Sequence, residues 1–260
     1  MKIIDLTPEN EALFFICLED WADEAKESGH KRSQWYAKMR PLGLGVKLAL
    51  HDSGQVGGMI QYLPVEHSTV EGKDLYMVQC IWVHGHKKGR GNFQGKGMGK
   101  ALLKAAEEDV RARGAKGIAA WGISLPFWMK ASWFKKQGYA KADKNGMAVL
   151  MWKQFSPEAQ APRWIKEKKR PALIPGKVVV SSYVTGWCMV QNLAYERAKR
   201  ASSMFPDKVV FQEIDTSVRA NLNEWGIADG LFIDGKPVNT GPPPSFEKIK
   251  KLIEKKVRKL

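Results

Sequence analysis

The chain has 260 residues, 44% of them hydrophobic and ten of them tryptophan, and a net charge of +15. That is longer than one typical domain and apolar enough for packed cores, which excludes a chain that is disordered for most of its length. No apolar run approaches the roughly eighteen residues of a membrane span, and the three cysteines, Cys17, Cys80 and Cys188, form no Cys-x-x-Cys pair, so neither a disulfide framework, a cysteine metal site nor a membrane segment is expected. The apolar stretch Ala12 to Leu18 follows Asp5, Glu9 and Glu11 rather than a basic leader, so no signal peptide is read there and a reducing cytoplasm fits best. The positive field attracts anions, which leaves nucleic acid open as a partner without selecting it.

In chain order, Lys2 to Leu6 predicts a short strand, and Thr7-Pro8-Glu9 the start of a helix carrying Phe14, Leu18 and Trp21. A second helix is predicted from Glu24 to Met39, weakened at Gly29 and ended by Pro41. Val46–Leu50 and Val56–Leu63 read as a hairpin around Asp52-Ser53-Gly54, and Leu75–Val83 as a third strand. A loop rich in glycine and lysine runs from His84 to Gly97. The helix that follows from Met98 has Met98, Leu102, Ala105 and Ala106 on one face and stops at Gly114. Gly117–Gly122 reads as a strand, Pro126–Gln137 as a helix and Met147–Trp152 as a strand.

Ser156 to Gly176 holds four prolines and the basic cluster Arg163, Lys166, Lys168, Lys169 and Arg170, and reads as a linker. The pattern then restarts. It runs strand (Lys177–Tyr183), helix (Met189–Met204), strand (Val209–Asp215), a further helix, a hairpin around Asp234-Gly235, and a terminal helix from Phe246 to Leu260. The division is therefore 1–155, a linker at 156–176, and 177–260, an α/β (α+β) chain of two domains.

Gln94-Gly95-Lys96-Gly97-Met98-Gly99-Lys100 stands between a strand and an amphipathic helix. Glycines let backbone N–H groups approach a ligand closely, and a helix N-terminus favours an anion, so this is a phosphate-gripping loop. Lys87, Lys88, Arg90, Lys96 and Lys100 add positive charge nearby, and the Gly-x-x-x-x-Gly-Lys-Ser/Thr pattern of nucleotide loops is absent. The loop resembles the GNAT acetyltransferase signature Gln/Arg-x-x-Gly-x-Gly/Ala, matched by Gln94, Gly97 and Gly99. The order of elements from Lys2 to Trp152 is similar to the mixed-sheet GNAT fold. The resemblance implies acetyl-CoA held by the amides of Gln94, Gly95, Lys96, Gly97, Met98, Gly99 and Lys100, with backbone pairing to pantetheine around Trp82 and Val83. The loop before Gln94 is longer than the family's usual one.

Many members of that family use a tyrosine as acid in a Tyr-x-x-x-Gly-Phe pattern. Here the matching place holds Phe134, before Gly138-Tyr139, and Phe127 stands where many members carry asparagine. Phe134 has no proton to give, so water or another group must serve. Glu66, His67, His84 and Cys80 are the candidates near the central strands, and none is singled out as the base.

In the second region Cys188 sits where a helix begins, a place that favours a thiolate. The order of elements and the Gly186-Trp187-Cys188 approach resemble a thioredoxin-like domain, and the whole chain resembles the YoaP-type proteins, in which a GNAT domain precedes such a region with one cysteine. The place of a second cysteine is Gln191, and Gly226-Ile227-Ala228-Asp229-Gly230 lacks the proline of ordinary thioredoxins, which argues against dithiol exchange. The reading favoured by the glycine loop is acetyl transfer from acetyl-CoA to an unidentified amine in a ternary complex, the second domain helping to select the acceptor. Against it stand a single-cysteine thiol-redox protein with a degenerate acyl-CoA domain, and a nucleic-acid adaptor resting on the charge and the 163–170 cluster.

Overall fold

The computed structural model describes residues 1–125, 129–239 and 241–260. Its elements are β1 (Lys2–Asp5), α1 (Pro8–Phe15), α2 (Asp23–Lys26), α3 (Lys31–Met39), β2 (Gly45–Leu50), β3 (Val56–Pro64), β4 (Val70–Glu71), β5 (Leu75–Val83), α4 (Met98–Ala112), β6 (Gly117–Ile123), α5 (Ala131–Lys136), β7 (Ala140–Asn145), β8 (Ala148–Gln154), β9 (Arg163–Trp164), β10 (Val178–Val184), α6 (Met189–Ser203), β11 (Val209–Asp215), α7 (Arg219–Trp225), β12 (Gly230–Ile233), β13 (Lys236–Val238) and α8 (Phe246–Val257). Two compact units form. One comprises Met1–Ala22 and Tyr36–Ile165, the other Asp23–Trp35 and Lys166–Leu260.

The first unit is a seven-stranded mixed sheet of order β1-β2-β3-β5-β6-β8-β7. Neighbours run antiparallel except β5 and β6, which are parallel. Eight of the nine residues of β3 are buried, because both faces of the sheet are covered. On one face α4 sets Leu102, Ala106 and Val110 against Ile60, Tyr62 and Val78. On the other, Val65, Leu75, Met77, Ala119 and Leu150 pack together. A strand covered on both sides reads as a continuous apolar run rather than an alternation.

The helix expected over 24–39 is broken into α2 and α3 by a left-handed Gly29 (φ +63°). The edge strand β7 went unread because Ala-Lys-Ala-Asp-Lys-Asn carries no apolar alternation. Of the helix expected over 126–137, α5 covers Ala131–Lys136, and Pro126 and Phe127 lie outside the described residues. Arg163 and Trp164, expected in a linker, instead pair as β9 with β4.

The second unit holds a four-stranded sheet of order β11-β10-β12-β13, with β10 and β11 parallel and the β12–β13 hairpin antiparallel to β10. Helices α6 and α8 bury Ala198, Ala201, Ile249 and Ile253 against Val178, Val180, Leu231 and Ile233. Tyr183, Ile227 and Phe232 make a smaller cluster with Trp225. Residues 23–35 are held in this unit by charge. Glu27 meets the buried Arg197 at 3.4 Å and Arg200 at 2.7 Å, and Lys31 pairs with Glu213.

Candidate active site

Strands β5 and β6 pair only from Leu75–Val78 to Gly117–Ala120. At that point β5 carries a bulge: Tyr62 faces Val78 while Gln61 faces Cys80, so Gln79 is the extra residue. An extra residue bends its strand and stops regular pairing. Trp121 Nε1 donates to the Gln79 carbonyl at 2.8 Å and closes the fork. Beyond it, β5 continues beside β3 to Val83 and β6 beside β8 to Ile123. The strands part into a cleft of about 700 Å³, lined by Ile81–Val83, Phe93–Gly95, Gly97–Lys100, Met129, Lys130, Trp133 and Phe134.

The glycine loop crosses the mouth of this fork. Gly95 (φ +76°) and Gly97 (φ +81°) are left-handed, and a Cβ at either would meet no atom within 4 Å. Glycine is needed there for the backbone conformation, which other residues adopt at a cost of about 1–2 kcal/mol. Gly97 is the N-cap of α4 and supplies no side-chain acceptor, so the first amides of that helix are left for a ligand. Phe93 anchors the loop: its ring lies against Gly57, where a Cβ would come within 2.6 Å. The Phe93 N–H donates to the His84 carbonyl at 2.9 Å, and Gln94 Nε2 to the Val83 carbonyl at 3.3 Å. Of the seven loop residues Lys96 alone is off the cleft wall, with its Nζ 5.4 Å from the Phe93 ring centre. Arg90, expected to add charge over the loop, is occupied elsewhere: Nε donates to the Val56 carbonyl at 2.8 Å and Nη1 pairs with Asp20 at 2.7 Å.

The opposite wall depends on Gly122. A Cβ there would lie 2.6–2.8 Å from backbone atoms of Met129 and Ala131, so only glycine lets that segment lie against β6. The Ile123 N–H donates to the Met129 carbonyl at 2.6 Å. Phe134, on α5, brings its ring to the cleft, and no hydroxyl accompanies it. The nearby Tyr139 is no substitute: it is buried in the α4 core and does not line the cleft, and its phenol is pushed well above its ordinary value by burial and then by the Glu107 carboxylate.

Two candidate bases fall away. Glu66 and His67 lie in the turn after β3, where Pro64 faces Tyr76 at the start of β5, whereas the cleft opens where Gly58 faces Val83. At about 3.3 Å per residue the two ends of β5 are more than 20 Å apart. Cys80 sits half-buried opposite Gln61 at the bulge. His84 is fully buried beside Glu19.

In the second unit Cys188 is the N-cap of α6, with its carbonyl accepting from the Asn192 N–H at 3.0 Å. Asn192 Nδ2 donates to the Gly186 carbonyl at 2.8 Å, holding the turn before the cysteine. Gln191 lies in the first turn of α6. Asp229 replaces the absent proline before β12 and accepts from the Thr185 N–H and Oγ1, each at 2.9 Å. Burial pushes its carboxyl up to about 6, against the opposing hydrogen bonds from Thr185. All three cysteines are free of disulfides.

A mixed sheet forked at one parallel pair, with a glycine loop and helix start at the fork, defines an acyl-CoA-dependent acyltransferase. The acetyltransferase (GNAT) family model matches residues 9–139, half of the chain, and the chain belongs to that family of enzymes, whose acyl donor is acetyl-CoA. No curated protein matches the chain. Among solved structures it is similar to a GNAT family acetyltransferase from Brucella melitensis in complex with acetyl-CoA, at 21% identity over 60% of this chain and 88% of that one (TM-score 0.41). It is also similar to the PaiA N-acetyltransferase of Thermoplasma acidophilum in complex with coenzyme A, at 17% over 59% and 99% (TM-score 0.43). YhbS of Escherichia coli, in complex with CoA, follows at 12% over 63% and 88% (TM-score 0.45). No helix among the described residues is long and apolar enough to cross a membrane.

Proposed function

We propose that the chain transfers the acetyl group of acetyl-CoA directly to an amine in a ternary complex, with the diphosphate on the amides of Gln94 to Lys100 and the pantetheine beside Trp82 and Val83. The observation that carries this reading is the left-handed Gly95 and Gly97 at the uncapped start of α4, opening onto the forked strands. The fork leaves the end of β5 unpaired on the β6 side, and backbone groups there suit the amides of pantetheine. Positioning supplies most of the rate. The departing thiolate takes its proton from water, since Phe134 cannot provide one. The second unit, read as thioredoxin-like from its β11-β10-β12-β13 order and read with the first as YoaP-type, assists in choosing the acceptor. Cys188 at the start of α6 is its candidate contact. A cytoplasmic setting accords with three unpaired thiols.

Calorimetry with acetyl-CoA tests the reading. Saturable one-to-one binding is expected, weakening as salt rises because the ligand's charge is carried by phosphates. Absence of binding at millimolar ligand would end it.

A further inference from the structure

Ile81 and Val83 pack toward α4, so Trp82 and His84 alternate onto the other face of β5. There His84 is fully buried, with Nδ1 2.7 Å from the Gly91 carbonyl oxygen. A carbonyl only accepts, so Nδ1 carries the hydrogen and Nε2 is the atom that gains or loses a proton. Nε2 has no hydrogen-bond partner among the described residues and lies 3.7 Å from Glu19 Oε2. Without a proton on Nε2, two acceptors face each other; with one, they become a charge-assisted pair.

Glu19 is presented by the turn after α1, where Cys17 (φ 54°) and Leu18 (φ 65°) are both left-handed although neither is glycine. Such conformations persist where surrounding structure enforces them, and they cluster at functional sites. The same turn supplies Trp21, whose Nε1 donates to Glu19 at 2.6 Å and whose ring is 41% exposed. The His86 ring lies 5.8 Å from Trp21, 6.3 Å from Trp82 and 5.4 Å from His84. Trp82 also lines the cleft, and its buried Nε1 has no partner among the described residues. Aromatic rings thus lead from the cleft to a buried carboxylate–imidazole pair. The other charged groups beside it are the Arg90–Asp20 ion pair and the exposed Lys87 and Lys88.

The geometry points to Trp21, Trp82 and His86 as the seat of the acceptor, a primary alkylammonium ion, and to the Glu19–His84 pair as the taker of its proton. This rests on the acetyl-transfer reading above. Aromatic faces and a nearby carboxylate both attract an ammonium group. The ion gives one proton to His84 Nε2. The free amine then bonds to the thioester carbonyl carbon as the carbon–sulfur bond breaks. The nitrogen releases its second proton to solvent, and the thiolate takes one from water. Arylamines, neutral at the same pH, lack the charge that Glu19 draws.

The test uses the full-length protein, acetyl-CoA, and n-butylamine, spermidine and Nα-acetyl-lysine against 4-aminobenzoate, following CoA release. Alkylamines are expected to exceed the arylamine in kcat/KM by at least about tenfold. Glu19→Gln and His84→Gln are expected to lower kcat/KM by about 10²–10⁴-fold with acetyl-CoA affinity held within about twofold, and His84→Gln to remove the rise of rate with pH. Trp21→Leu, on the exposed side, raises KM and serves should a buried variant fail to fold, as thermal melting reports. Preference for the arylamine, wild-type kinetics and pH profile in both buried variants, or bound acetyl-CoA with no alkylamine acetylated would each overturn the assignment. Failure of the wild-type protein to bind acetyl-CoA would instead overturn acetyl transfer itself.

Discussion

Phe134 brings a ring rather than a phenol to the cleft, so the leaving thiolate meets no side-chain acid from α5. Phe134→Tyr restores such a group at little cost in volume. It is expected to raise kcat by roughly 10²-fold, with a new fall in rate at the pH where the phenol ionises. Stopped-flow rates across pH check this, and an unchanged rate means water already suffices. Asp229 makes a second claim at this scale. Its carboxyl is raised by burial to about 6 from 3.8, so the folded protein holds a proton that the unfolded chain has lost between those values. Its contribution to stability is therefore full below about pH 4 and falls as pH rises through 6, a change of about 3 kcal/mol at 1.36 kcal/mol per unit. Urea denaturation between pH 4 and 7 should show that decline in the wild type and a flatter profile in Asp229→Asn.

At the scale of elements, the start of α4 and the loop before it separate two demands on glycine. Gly97 is left-handed at φ +81°, whereas a Cβ at Gly99 would sit 3.5 Å from Trp133 and 3.8 Å from Val83, an ordinary contact. Gly97→Ala should destabilise the protein by about 1–2 kcal/mol and weaken acetyl-CoA binding by more than tenfold, while Gly99→Ala should bind within a few-fold of wild type by calorimetry (one tenfold step is about 1.4 kcal/mol). The loop was readable because its requirements are local: glycines for left-handed backbone, then an amphipathic helix. The opposite wall was not. Nothing local marks Gly122 as different from other strand glycines, and its role comes from the backbone of Met129 and Ala131 lying 2.6–2.8 Å from where a Cβ would be. The polar edge strand β7 escaped for a related reason, being held by pairing with β8 rather than by a buried face of its own.

For the whole molecule, the chain passes between its two units three times, at Ala22–Asp23, Trp35–Tyr36 and Ile165–Lys166. Residues 23–35 depend on α6 and β11 through Glu27 with Arg197 and Arg200 and through Lys31 with Glu213. A fragment ending at Ile165 would leave that segment without these partners. Hydrogen-exchange mass spectrometry should show amides in 23–35 protected in the full chain and exchanging early in the fragment; equal protection would mean α2 and α3 stand alone. By itself, the sequence determined the order of most strands and helices, the glycine loop and the missing phenol at Phe134, because periodicity, turn chemistry and short motifs act between near neighbours in the chain. Only tertiary structure decided that Glu66 and His67 lie at the wrong end of β5, that Arg90 is spent on Asp20, and that Glu19 meets His84. Those depend on strand register, a bulge and burial between segments far apart in the chain, and no local pattern of residues encodes such distances.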